Sequence, residues 1–363
     1  MSFNLLIGLG NTGTQIVKTV SKSSKLADLH MFTIDSVTAS SDLESCQNIT
    51  AIPIISDDKN GSGRSRERGA AMFLYHDSLG SFNALYEDAK NAKAPIFIVT
   101  SSAGGTGSGV APVLCKKLAE IIPDVRIVPI IVCPAIEDPD AFHMNTSDLM
   151  IELEEAGIKT YTIFRNRFGE ANYTDINRDV AHTIELILGK LYDPASGGDS
   201  IDDSDLDTIL RVPGRFIACA VESDDPTKLR RLITEKALHS FQPGWTIEET
   251  NAATLYTAFG LTSPFANADF KDVFADVRLR IAHYVDEYRN ICEKDGKCSA
   301  SIIIAGLPHA ELKDIDADYV EAKGIADGAK RSKRPSFLSN KSPINPSAKN
   351  GEFKAINKFD WTK

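Results

Sequence analysis

The sequence has no apolar run approaching the roughly 18 residues that a membrane-spanning helix needs, so no membrane partner is expected. No basic flank and cleavage site precede its first apolar stretch, and no signal peptide is read there. Its six cysteines (Cys46, Cys115, Cys133, Cys219, Cys292, Cys298) make no C-x-x-C pair. Most lie inside apolar runs and read as core thiols of a reducing cytoplasm. The seven histidines show no H-E-x-x-H or paired ligand spacing, which argues against a structural zinc site. No Lys follows Gly109, so the glycine-rich stretch ending there is not a Walker A loop. No internal repeat is present.

What remains is an ordinary globular composition, 42% hydrophobic and 25% charged over 363 residues, enough for one large or two medium domains. The net charge is -10 and uneven. Residues 321–363 hold ten Lys/Arg against four Asp/Glu, a surplus of six that leaves the rest at -16. An acidic body argues against duplex nucleic acid as its main ligand; the basic tail is a separate matter.

The chain is organised around Ser101-Ser102-Ala103-Gly104-Gly105-Thr106-Gly107-Ser108-Gly109. An apolar run of strand length, Pro95 to Thr100, precedes it, and apolar residues at helical spacing follow from Val110 to Ile122. A glycine loop between a buried strand and a helix N-terminus can bring several backbone amides against an anion. A tight turn alone would need only one or two glycines.

A second such loop opens the chain. Phe3 to Ile7 reads as a buried strand, Gly8-Leu9-Gly10-Asn11-Thr12-Gly13 follows, and a second strand ends at Asp35. Alone this resembles a dinucleotide-binding G-x-G-x-x-G unit. Two phosphate-cradling loops from neighbouring strands fit a nucleoside di- or triphosphate better. Asn60-Gly61-Ser62-Gly63-Arg64 is either a surface turn or a loop that senses a terminal phosphate. Arg126 to Val132 is another buried strand, and the loop after it offers Glu137 and Asp138 to a ribose. A helix over 146–156 and a strand from Lys159 to Phe164 complete an α/β unit.

A central helix with Thr174 as N-cap turns Ile176, Val180, Ile184, Ile187, Leu188 and Leu191 to one face. Asn177 and Asp179 lie off that stripe, either as solvated helix-start residues or as readers of guanine N1, N2 and O6. The acids of 199–207 do not have EF-hand spacing. Strands at Arg215–Val221, Thr254–Leu261 and Ser299–Leu307, with helices at Pro226–Phe241 and Phe270–Arg289, predict a smaller α/β unit. A short helix is expected around 316–329. Beyond Lys330 the Ser, Pro, Asn and Lys content reads as a disordered tail, whose Phe353, Phe359 and Trp361 suit a docking peptide.

Gly104 to Gly109 resembles the signature loop of the tubulin/FtsZ superfamily of GTPases, and the order of elements is similar over about residues 1–310. The resemblance implies an α/β fold: a Rossmann-like parallel-sheet GTPase domain at 1–172, a central helix and loop at 173–198, an acidic loop and smaller domain at 199–312, and a tail at 313–363. It implies GTP/GDP with Mg²⁺, held by Gly8, Gly10, Asn11, Thr12, Gly13, Gln15, Asp35, Gly61, Gly63, Ala103, Gly104, Gly105, Thr106, Gly107, Ser108 and Asp138. Asn166, Asn177 and Asp179 would face guanine. Asp202 and Asp205 match the family's paired acids, which enter the nucleotide site of the next subunit in a head-to-tail filament and position the attacking water.

Two departures from FtsZ point away from cell division. Ser200 stands where FtsZ has Asn, and Asp138-Pro139-Asp140-Ala141-Phe142 lacks the Arg of its ribose loop. Asn145-Thr146-Ser147-Asp148 and Ile176-Asn177-Arg178-Asp179 look more like the phage tubulins of the PhuZ type, with plasmid-partition TubZ next. The role so implied is positioning of phage DNA in a bacterial cytoplasm. The tail is basic where a phage tubulin's is acidic, which brings in a phage or DNA-bound adaptor as a partner. The alternatives are an NAD(P)-dependent oxidoreductase built on Gly8 to Gly13 and Asp35, and an adaptor whose tail recruits DNA.

Overall fold

The computed structural model describes residues 5–307 except 27–28, 38–45, 47, 56–60, 93–94, 124–125, 136, 167–172, 190–191, 197–199, 240–254, 282–285 and 297. The tail, the helix expected at 316–329 and Leu191 lie outside the described residues. The first half runs β1 (Leu5–Leu9), α1 (Gly10–Val20), β2 (His30–Asp35), β3 (Ile49–Pro53), α2 (Arg66–Ser78), α3 (Asn83–Asn91) and β4 (Ile96–Ser101). It continues with α4 (Thr106–Ile121), β5 (Ile127–Cys133), α5 (Asp140–Glu155) and β6 (Thr160–Arg165). The second half comprises α6 (Tyr173–Ile187), α7 (Asp203–Leu210), β7 (Gly214–Ser223) and α8 (Leu229–His239). It ends with β8 (Tyr256–Ser263), α9 (Ala266–Val273), α10 (Ala275–Arg280), β9 (Asp286–Glu293) and β10 (Cys298–Leu307).

All ten strands join one sheet in the order β3-β2-β1-β4-β5-β6-β7-β10-β8-β9. Pairing is parallel from β3 through β7, and β10 then runs antiparallel to both β7 and β8. The continuous apolar runs of the early strands are explained by burial on both faces. Leu5, Ile7, Leu9, Ile96 and Ile98 enter one cluster with Phe73, Leu114 and Leu149 of α2, α4 and α5. Leu6, Phe97 and Val99 point the other way, against Ile16 and Val17 of α1 and Val180 and Ile184 of α6. The second cluster also takes Leu206, Ile209 and Leu210, so the helix after the acidic loop is anchored in it.

A third cluster lies between β7–β10 and helices α8–α10, centred on Phe259, Phe270 and Phe274 with ring separations of 4.9 and 5.1 Å about Phe274. Here the sequence expectation is corrected. The helix expected from Phe270 to Arg289 stops at Arg280, and Asp286–Glu293 is a strand parallel to β8. It is the edge strand, and its outer residues Asp286 to Arg289 are polar enough to suit a helix surface as well. Strand β3, the opposite edge, was not foreseen from the sequence. Its five residues include Thr50 and Pro53, and only Ile52 is buried.

Candidate functional site

Strands β1, β2 and β4 end at one edge of the sheet, and the turns that leave them enclose a cleft of about 460 Å³. Helices α1 and α4 both begin there. Neither has a side-chain cap on its N-terminus or an acidic residue in its first turn. Helix α2, by contrast, has its Arg68 amide capped by Ser65 Oγ at 3.1 Å, with Glu67 in the first turn. The first amides of α1 and α4 are therefore unspent donors at the positive ends of two helix dipoles, sharing one cavity. Such an arrangement suits an anion.

The glycines divide into two groups. A Cβ on Gly104 would meet nothing within 4 Å, and Gly63 is equally open, so these two face free space. The others are fixed by packing. Gly10 has φ +65°, and its Cβ would lie 2.9 Å from the Gly107 amide nitrogen, which is how closely the two loops abut. A Cβ on Gly13 would come within 2.4 Å of the Val99 carbonyl oxygen, and one on Gly8 within 2.5 Å of the Gly13 carbonyl oxygen. These contacts let α1 lie flat on β1 and β4. A Cβ on Gly105 would meet Ser62 Oγ at 2.5 Å and one on Gly109 the Arg66 carbonyl oxygen at 2.1 Å, so both serve the α2–α4 contact.

Three hydroxyls tie the loops together. Ser36 Oγ lies 2.7 Å from Thr106 Oγ1, which donates to Ser62 Oγ at 2.9 Å. Behind them, α5 presents a buried polar stripe. Asn145 Nδ2 donates to the Ala103 carbonyl at 3.0 Å, and Thr146 Oγ1 is 2.8 Å from Ser102 Oγ. Arg66 is 3% exposed and donates to Glu152 at 2.7 Å and to the Ser108 carbonyl at 3.1 Å. That carbonyl is the one whose intrahelical partner would be the amide of residue 112, which is Pro112 and has no N–H. The buried cation thus satisfies the gap that proline leaves in the signature helix.

Among the expected ligand residues, Gly10, Asn11, Thr12, Asp35, Gly61, Gly63, Gly104, Gly105, Thr106 and Gly107 line the cleft. Asp35 is the only carboxylate among the described lining residues. Burial pushes its carboxyl above the usual range, against a lowering hydrogen bond from the Ser36 amide. Gly8 and Gly13 lie beneath the cleft as packing residues, and Gln15 is exposed on α1. Ala103 flanks the lining residues, and the buried Ser108 hydroxyl donates to the Gly104 carbonyl. Asp138 accepts from the Ala135 amide at 2.8 Å, and the Asn166 amide donates to the Cys133 carbonyl at 3.0 Å. Both are held in turns after β5 and β6, and neither lines the cleft.

Asn177 and Asp179 sit in the early part of α6, which packs on α1. Asp179 is engaged by Lys236 of α8 at 2.8 Å. Asp202 and Asp205 open α7, the first exposed and the second half-buried, and neither lines the cleft. The sequence reading passed over Ser36 and Val37 on the lining; Ser62 and Arg64, also there, belong to the 60–64 loop it read as a phosphate sensor but were not singled out as ligands. The alternating Gly and Ser of 61–63 was the available signal for Ser62 and Arg64; Ser36 had none beyond following Asp35. Among the described residues no group of three or more His, Cys, Asp or Glu side chains gathers as a metal site, and no helix is long and apolar enough to cross a membrane.

Residues 5–168 match the profile described as Tubulin/FtsZ family, GTPase domain. The tubulin-like protein CetZ of Pyrococcus horikoshii is 26% identical over 290 residues, 74% of this chain and 75% of that protein. CetZ of Pyrococcus furiosus is 27% identical over 175 residues, 46% of this chain and 47% of that relative, so this alignment spans about half its length. The fold is that of the tubulin/FtsZ proteins. A GTPγS-form protofilament of TubZ from Bacillus thuringiensis serovar israelensis superposes with a TM-score of 0.68 at 16% identity, covering 92% of this chain and 95% of that one.

Proposed function

We propose, on the premise that residues 5–168 form a GTPase domain of the tubulin/FtsZ family, that the protein binds GTP in this cleft and hydrolyses it within head-to-tail filaments. The observation that carries the reading is the convergence of two uncapped helix N-termini, those of α1 and α4, on one cavity. Their amides would take the phosphates, with the hydroxyls of Ser36, Ser62 and Thr106 beside them. Magnesium suits the site, since it keeps several waters and needs few protein ligands beyond phosphate oxygens. Asp35 would be its protein ligand, and the ion would neutralise phosphate charge.

Among the described residues no acid but Asp35 lines the cleft, and the reading assigns activation of water to Asp202 and Asp205 of a neighbouring subunit. A contact that brings one subunit's α7 edge to another's cleft is heterologous and propagates as a filament. Support for self-association comes from the fold shared with a TubZ that forms a GTPγS-form protofilament. The finer reading, a phage tubulin that positions DNA through a basic tail and an adaptor, rests on the sequence resemblance. The second reading, a TubZ-type plasmid-partition filament, rests on the same sequence resemblance.

The test is GTP turnover per subunit against protein concentration, with pelleting of the same samples. Turnover and pellet rising together above a threshold are the expected result. Specific activity independent of concentration would overturn the assembly-dependent mechanism.

A further inference from the structure

The helix that opens with Asp202 and Asp205 is gripped further along by a cation from the sheet. Arg126, just before β5, reaches α7 twice: Nη2 donates to Asp207 Oδ1 at 2.5 Å and Nη1 to the Asp207 carbonyl at 3.0 Å. Arg211 Nε donates to the other carboxylate oxygen at 2.9 Å, but Arg211 is the C-cap of α7 itself. Of the two, the Arg126 arm is the one that leads out of the helix. It is also the better shielded, its side chain 21% exposed against 62% for Arg211.

Arg126 stands at the edge of the sheet opposite the cleft. Ser101, on the cleft lining, pairs with Val132, and Ile96 pairs with Ile127 at the other end of the same two strands. From Arg126 to Val132 is about 20 Å at roughly 3.3 Å per residue. Asp202 precedes Asp207 by five positions, at most about 8 Å along a helix, which leaves the acids well short of their own subunit's cleft. Leu206, Ile209 and Leu210 seat α7 in the second cluster, but apolar burial is non-directional. A helix this short has little stability of its own. The planar guanidinium, holding side chain and main chain of one residue, fixes its rotation and axial position.

We propose that Arg126 is a positioning residue for hydrolysis: through Asp207 it sets the height and angle at which Asp202 and Asp205 meet the neighbouring subunit's nucleotide. The inference rests on the assembly-dependent reading above and deepens it. A displacement of about 1 Å at reacting groups can cost on the order of a hundredfold in rate.

The test uses the purified full chain. Arg126→Met removes both bonds and keeps side-chain length. Turnover per pelleted subunit at saturating GTP should fall roughly tenfold or more, while GTPγS affinity below the assembly concentration stays within about twofold of wild type. Arg126→Lys keeps the charge without the two-point grip and should recover only part of the rate. Asp207→Asn keeps the main-chain contact and should lose less; it carries the test if Arg126→Met does not fold. The double variant should lose no more than Arg126→Met alone. A lowered melting temperature with unchanged turnover per pelleted subunit would make the contact merely structural and overturn the proposal. So would a rate loss matched by GTPγS affinity, or loss of GTPγS-driven pelleting in both single variants. Each of these leaves the GTPase reading intact, whereas a wild-type chain without turnover at any concentration would overturn that reading itself.

Discussion

Asp202 and Asp205 close a reciprocal capping box at the start of α7. Asp202 Oδ1 accepts the amides of Ser204 and Asp205 at 2.8 and 2.9 Å, and Asp205 Oδ2 accepts the Asp202 amide at 3.1 Å. Two acids three residues apart are thus what this helix start needs for its own sake, as well as what a trans-acting catalytic pair would look like. Replacement by Ala would confound the two. Asp202→Asn keeps an N-cap acceptor and should hold stability within a few tenths of a kcal/mol, whereas Asp202→Ala should cost about 1 kcal/mol. If the carboxylates act in catalysis, the Asn variant will pellet with GTP like wild type and lose turnover. Retained turnover in Asp202→Asn and Asp205→Asn would reduce the pair to a cap.

Arg66 makes the second prediction. Its guanidinium is buried, paired with Glu152 at 2.7 Å, and donates to the Ser108 carbonyl that Pro112 leaves open. Removing one partner of a buried pair typically costs about 3–5 kcal/mol, so Arg66→Ala should unfold at clearly lower urea. Pro112→Ala supplies the missing amide. A double-mutant cycle between positions 66 and 112 should therefore show coupling, and strict additivity would dismiss the link.

Glycine substitutions along one loop should separate folding from binding. Gly104→Ala adds a Cβ into open space and should leave thermal stability unchanged while reducing nucleotide affinity. Gly109→Ala places its Cβ 2.1 Å from the Arg66 carbonyl oxygen and should destabilise by about 1–3 kcal/mol or more through α2–α4 displacement. Equal melting temperatures for the two variants would contradict the division.

That division marks how far the sequence could be read. The strand–glycine–helix pattern at 95–122 and the apolar strands β1, β4 and β5 were legible because both-face burial leaves a continuous apolar run. Which glycines face ligand and which face backbone was not, since Gly105 and Gly109 are fixed by Ser62 and Arg66, some 40 positions away. The Ser36–Thr106–Ser62 hydroxyl cluster joins three separate loops and leaves no spacing to find. The edge strands β3 and β9 were missed because β3 is five residues long with only Ile52 buried and β9 opens with the polar Asp286 to Arg289, and half-exposed strands carry a weak periodic signal.

Asp35 gives a pH prediction. Burial raises its carboxyl above the ordinary 3.8, so the folded chain holds a proton that the unfolded chain has lost between the two values. Its contribution to stability is complete below the unfolded value and is lost as pH rises through the folded one. Asp35→Asn should therefore gain stability relative to wild type as pH rises across that window. Without divalent metal, phosphates in the cleft should raise the carboxyl further, so GDP binding should take up more protons in wild type than in Asp35→Asn. Calorimetry in two buffers of different ionisation enthalpy measures this, and identical proton uptake would remove Asp35 from the phosphate environment.

The last prediction concerns which residue of α6 discriminates the base. Asp179 is already committed, its carboxylate 2.8 Å from Lys236 Nζ, and this pair joins the central helix to α8. Asn177 has no such partner among the described residues, and its amide carries both a donor and an acceptor, which guanine's O6 and N1 edge can use. A buried polar pair left unmatched by the wrong base is what gives large discrimination. Asn177→Ala should therefore narrow the preference for GTP over ATP by tenfold or more with little change in stability. Asp179→Ala should do the reverse, lowering stability modestly because the pair is part-exposed, and leaving the preference intact. If Asp179→Ala erases selectivity while Asn177→Ala does not, the ion pair to Lys236 must open on nucleotide binding. The base would then be read by the acid, and Lys236→Met, which frees it, should sharpen selectivity.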